Sequence, residues 1–258
     1  MNATQAKQAR VDCLCIASHT DDAELGLGGT LRLLAERGRS VWVCDLTRGE
    51  LASNATPEER WVEAGAASEI LGLTGRIQLG LPDGFLAADD LEQMGAVTSV
   101  LRRLQPRWIV VAPEASRHPD HLATPSLVAK AVFLANLSTY QPVLPDYRVW
   151  PEGTARGEPA VTWQSEALFV TCAMHEQPAL IFDCSDVWAR KREAIAAYRS
   201  QFHRDAGRRP TLVNSRAWHE EIERRGQYWG FKAGVAYGEA LRSQAVPVLK
   251  DLPEEPWV

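Results

Sequence analysis

The chain has only five cysteines among 258 residues, an odd number set mostly inside apolar runs, and so lacks the pairs a disulfide framework needs. Cys13, Cys15, Cys44, Cys172 and Cys184 are therefore expected to be buried, reduced thiols, as in a cytoplasmic protein. No apolar stretch approaches the roughly 18 residues of a membrane span, and residues 1–10 carry no hydrophobic leader core, which excludes a membrane partner. Lysine and arginine form no stripe, and the formal charge of -5 argues against nucleic acid. The basic run 204–209 reads as a solvated loop. Repeats, low-complexity tracts and linkers are also missing. One domain over 1–258 is expected, with 1–10 flexible and a loop-rich insertion at 141–161 near the site. A 45% hydrophobic share is enough for one substantial core.

What is there alternates between short β-like runs and helical patterns. Residues 11–18 (VDCLCIAS) predict a buried strand, and 24–37 a helix ended by Gly38. Residues 41–46 (VWVCDL) predict a second strand. Thr56-Pro57-Glu58-Glu59 opens a helix with an N-cap, proline at the first helical position and a capping-box acid, and Gly72 ends it. Strands near 77–79, 108–112, 167–171 and 180–182 alternate with helices over 89–104, 122–134, 187–202 and 215–229. Repeated strand–helix–strand units imply right-handed crossovers, hence a Rossmann-like α/β fold with a mostly parallel sheet and helices on both faces.

Loops leaving the carboxyl ends of parallel strands are where such folds place their chemistry. His19-Thr20-Asp21-Asp22, with Glu24 beyond, crowds the end of the first strand with an imidazole and three carboxylates. Gly26, Gly28 and Gly29 follow, and Asp45 ends the second strand, which invites a dinucleotide reading. The charges oppose it, because Asp21, Asp22 and Glu24 lie where a pyrophosphate would dock, and the third glycine is absent. The glycines are then expected to let the first helix pack closely on the sheet. A metal reading uses the acids. His19 and Asp22, three apart at a strand end, and His121, from a later junction on the same sheet edge, make a His₂Asp set that leaves a position for water. His175, His203 and His219 lack such company.

The segment Ala17-Ser-His-Thr-Asp-Asp-Ala-Glu-Leu-Gly-Leu-Gly-Gly-Thr30 resembles the A-H-P-D-D-x-E-x-G-x-G-G-T signature of the LmbE/PIG-L deacetylases, with Thr20 in place of the usual proline. His118-Pro-Asp-His121 is similar to that family's second motif. Residues 46–54, 79–84 and 191–202 resemble the branch that deacetylates N-acetylglucosaminyl-malate in bacillithiol synthesis. The resemblance implies zinc, or another divalent ion such as Fe²⁺, on His19, Asp22 and His121, with Asp21 as general base. It implies His118 as an oxyanion donor, in imidazolium form, and Asp120 as the partner orienting a histidine. Arg60 and Arg148 match substrate arginines, and Asp83 is a candidate for sugar hydroxyls. Each has a plainer alternative: Arg60 on the exposed face of a capped helix, Arg148 paired with an acid, Asp83 in a turn. The implied partner is a small N-acetylglucosaminide, in a possible homo-oligomer. Alternatives are a chitooligosaccharide or inositol-linked sugar, a thiol conjugate, or a non-catalytic sugar- or nucleotide-binding protein.

Overall fold

A computed structural model of the chain describes residues 10–113, 117–142, 145–152, 160–204 and 207–243. Residues 1–9, most of the stretch expected to be flexible, and 153–159 of the expected insertion lie outside the described residues. The elements in chain order are β1 (Cys13–Ala17), α1 (Asp22–Glu36), β2 (Val41–Thr47), α2 (Pro57–Leu71), β3 (Gly75–Leu81), α3 (Leu91–Leu104), β4 (Trp108–Ala112), α4 (Pro119–Ala135), β5 (Arg148–Trp150), β6 (Ala167–Thr171), β7 (Leu180–Asp183), α5 (Trp188–Ala197), α6 (Arg199–Phe202), α7 (Arg216–Ala233) and β8 (Gly238–Ser243). They build one sheet in the order β5-β3-β2-β1-β4-β6-β8-β7. The five strands from β3 to β6 run parallel, β5 is antiparallel at one edge, and β8 is antiparallel to both of its neighbours.

Strand periodicity divides the core between the two faces. Leu14 and Ile16 point into a cluster that includes Val97, Leu101, Leu127 and Val128 of α3 and α4. Cys13, Cys15 and Ala17 point the other way, toward Leu27, Ala64 and Ile195 of α1, α2 and α5. All five cysteines are buried and outside any disulfide, and burial pushes the Cys13 thiol up to about 12. Strand order reverses between β1 and β4, so the carboxyl ends of these two strands flank the switch-point crevice.

The glycines of α1 serve close packing. A side chain at Gly26 would meet Ala112 and Thr171, and one at Gly29 would stand 2.8 Å from Cys184. Asp45 is no ribose ligand: it is fully buried, and both of its oxygens are gripped by Arg76 at 2.6 and 2.8 Å.

Four expectations need correction. α4 starts at Pro119 rather than 122, because the His118 imidazole, not one of the usual capping side chains, accepts the Asp120 N–H. The helix expected over 187–202 breaks at Tyr198, where the Ser200 N–H and hydroxyl turn to Glu63 of α2 at 2.7 and 2.6 Å. Residues 148–150 of the expected loop form β5, pairing with Arg76–Gln78 of β3. Residues 238–243, too weak in β-formers to read as a strand, form β8.

Candidate metal centre and active site

Two helix starts build the crevice. The β1–α1 connection carries His19 and Asp21 and α1 opens with Asp22, while His118 caps α4 and its first turn carries Asp120 and His121. Pro119 at the first helical position fixes the entry into α4, so His121 projects one turn in rather than from a loop. His19, Asp21, Asp22 and Asp120 are all buried. That density of charge under cover calls for partners.

His19 Nδ1 lies 3.1 Å from Asp22 Oδ2 and 3.3 Å from His121 Nε2, and the latter two atoms are 3.3 Å apart. These are three short edges of one triangle. Donors at about 2.0–2.1 Å from a tetrahedral ion stand about 3.3–3.4 Å from one another, so these separations match the donor spacing of a divalent metal site. Two other donor groups occur among the described residues: the three histidines His19, His118 and His121, and His19 with Asp83 and Asp120. The second is spoken for. Asp120 accepts the Gly84 and Leu86 N–H groups at 2.8 and 3.0 Å, and Asp83 accepts the Leu51 N–H at 2.9 Å. Both acids then receive His19 Nε2 at 3.1 Å. They hold the far side of the ring and leave Nδ1 facing Asp22 and His121, an arrangement common behind metal-bound histidines.

Burial raises the Asp22 carboxyl, but His121 and His19 outweigh it and hold the group well below the usual carboxylate range. His19 is the counterpart: burial opposes its charge, yet the hydrogen bonds it donates to Asp120, Asp22 and Asp83 push it up to about 12. The carboxylates around this ring thus favour positive charge at the site.

Asp21 stands at the N-cap position of α1 but makes no capping hydrogen bond. Its Oδ2 faces Arg60 Nη2 at 3.1 Å. Burial raises the Asp21 carboxyl beyond what Arg60 restores. Arg60 is thus not on an exposed face. It is 5% exposed, and its guanidinium lies over Gly49, where any side chain would overlap it. Arg148 sits on β5 and bonds Glu58 at 3.0 Å, the plainer of its two expectations. Asp83 is in the Pro82–Gly84 turn, and its carboxylate accepts from His19 Nε2 and from the Leu51 N–H. His118 accepts the Asp120 N–H at Nδ1, so the ring is held neutral with its proton on Nε2. Burial and the charges of His19 and His121 lower its pKa, against the imidazolium expected.

Sequence reading missed what lies behind the site. Arg76 joins Asp45 to Glu24 at 2.6 Å in a fully buried triad, taking Glu24 away from the metal cluster. Tyr198 is buried close enough to feel Arg76, Glu24 and Asp45. Lys191 bonds Glu239 and the Leu25 carbonyl, while Glu239 accepts from Gly29 and Thr30 of α1. A lone arginine or lysine inside an apolar pattern was the only signal.

Comparison with known proteins places this geometry. A family model described as PIG-L, GlcNAc-PI de-N-acetylase, matches residues 14–132, which contain both helix starts. The diacetylchitobiose deacetylase of Thermococcus kodakarensis is 27% identical over 89% of this chain and 81% of its own length. A probable N-acetyl-alpha-D-glucosaminyl L-malate deacetylase 2 of Bacillus cereus is 28% identical over 73% of this chain and 82% of its own. The crystal structure of a conserved protein from Thermus thermophilus is 38% identical, covers 95% of this chain and 99% of that one, and superposes with a TM-score of 0.75. With its two helix starts inside the matched region and relatives along nearly its whole length, the chain belongs to the PIG-L family.

Proposed function

We propose that this PIG-L deacetylase of GlcNAc-type substrates removes the acetyl group of N-acetylglucosaminyl-malate, with zinc on His19, Asp22 and His121. The observation that carries the reading is the triangle of donors beside a carboxylate released from capping: Asp21, held by Arg60 at 3.1 Å. A divalent ion held there would lower the pKa of a bound water toward about 7 and would polarise the amide carbonyl. Asp21 is the general base, and its raised pKa makes it a better proton acceptor than an ordinary carboxylate. Arg60 fixes its orientation. His118, its Nδ1 tied to the α4 backbone, presents Nε2–H to the developing oxyanion. Asp120 and Asp83 hold His19 in the tautomer that leaves Nδ1 for the ion. Asp21 then returns its proton to the leaving amine.

The malate assignment is supported by the Bacillus relative and by the resemblance of residues 46–54, 79–84 and 191–202 to that branch. A disaccharide substrate is the second reading, supported by the Thermococcus relative, which matches more of the chain. Amine release from a panel of N-acetylglucosaminides differing only in aglycone separates the two. In the same assay Asp21→Asn is expected to retain stoichiometric metal and lose turnover. Full activity in that variant at unchanged metal content would remove Asp21 from the role of base.

A further inference from the structure

Both arginines matched to the substrate are engaged by acids of this chain: Arg60 by Asp21, and Arg148 by Glu58. A third guanidinium lies at the same corner. Arg48 leaves β2 in the loop that Arg60 braces at Gly49, and it crosses over Gly80 at the end of β3. Gly80 has φ +71, and a Cβ there would stand 2.8 Å from Arg48 Nε. The glycine thus opens the channel in which the guanidinium lies. Among the described residues no carboxylate lies within ion-pair distance of Arg48, and its buried Nε has no hydrogen-bond partner. Glu58, which bonds Arg148, has its pKa lowered first by that bond and also by Arg48. Glu58 thus pairs with Arg148 alone and feels Arg48 only at longer range. The same loop connects to the reaction centre, because Glu50 accepts the Asp83 N–H at 2.9 Å and Asp83 holds His19.

A buried guanidinium N–H left unmade costs about 1–3 kcal/mol, and arginine's planar fork matches carboxylate and phosphate. We propose that Arg48, with Arg148 beside it, is the anchor for an anionic aglycone, and that Arg60 serves Asp21 instead. This rests on the deacetylase reading. It replaces the arginine pair expected from resemblance by another.

The test uses the zinc-loaded full chain and three substrates: methyl N-acetylglucosaminide, N-acetylglucosaminyl-malate and N-acetylglucosaminyl-inositol phosphate. Arg48→Gln is expected to lower kcat/KM roughly tenfold to a hundredfold more on an anionic substrate than on the methyl glycoside, chiefly through KM, with Arg48→Lys recovering part of it. Loss confined to the malate compound identifies carboxylate as the ligand, and loss confined to the inositol compound identifies phosphate. Equal losses on all three, or none, would overturn the proposal. If the wild type releases amine from no substrate, the deacetylase reading fails. Calorimetry with L-malate and with inorganic phosphate then decides the anion site alone: binding that Arg48→Gln abolishes supports it, and binding that the variant keeps, or no binding to the wild type, overturns it.

Discussion

The His19 ring meets a carboxylate at every turn: Asp22 at Nδ1, Asp83 and Asp120 at Nε2, each 3.1 Å away. Its pKa, raised from 6.5 to about 12 in the metal-free protein, sets the sign of two pH effects. The charged ring stabilises the fold fully below 6.5, and that contribution is lost progressively as pH rises toward 12. Metal displaces the proton, so apparent metal affinity should rise with pH over the same window. Calorimetric titration of zinc in buffers of different ionisation enthalpy should show protons released on binding. Release of none would mean that His19 is neutral in the metal-free pocket. His118 offers a separate test. His118→Ala should keep its metal and lose roughly 10²–10³ in kcat, the scale of one oxyanion donor. A variant that lost metal instead would make His118 a ligand.

The first helix is the element that carries the site, and its fixation is costly in buried charge. Arg76 ties Glu24 of α1 to Asp45 of β2 with all three side chains out of water, and burial raises Asp45 to about 6 against the pull of Arg76. Such triads contribute little net stability over apolar replacements, but removing one member strands the others. Arg76→Leu is therefore expected to destabilise the protein by about 3–5 kcal/mol in denaturant unfolding. Replacing Glu24, Arg76 and Asp45 together by apolar residues of similar volume should recover most of that loss. If Arg76→Leu alone were neutral, the triad would have no part in seating α1. On the opposite side of the helix, the carboxylate of Glu239 from β8 receives Gly29 and Thr30 N–H groups. The helix is thus held from two strands far apart in sequence.

At the scale of the molecule, the candidate ligands come from either side of the strand-order reversal: His19 from the β1–α1 connection, Asp22 from the start of α1 and His121 from α4. A bound ion would tie those two elements together and stabilise the native state by mass action. At a thousandfold excess over Kd the gain is about 4 kcal/mol, on the order of 10 °C in Tm for a chain of this size. Chelator should remove that increment and zinc restore it, while His121→Ala should melt at one temperature with or without zinc. A variant that kept the shift would place the ion elsewhere. No helix among the described residues is long and apolar enough to cross a membrane.

The fold class was legible because it depends on local patterns. The apolar runs 108–112 and 167–171 form strands over those same residues, and Thr56, Pro57 and Gly72 bound α2 as their chemistry requires. The crowding of His19, Asp21 and Asp22 was legible too, since neighbours in sequence at a strand end remain neighbours in space. Other features were not local. The break at Tyr198 is imposed by Glu63 of α2, and β5 exists only because β3 offers an open edge. His118 acts as a cap only once Pro119 and Asp120 turn its ring onto the backbone. Sequence by itself determined which residue types stand at the crevice. Tertiary structure decided which acid answers each cation: Asp21 takes Arg60, Glu58 takes Arg148 and Asp45 takes Arg76. Charges pair by distance through space, and the separations along the chain, 39, 90 and 31 residues, carry no trace of it.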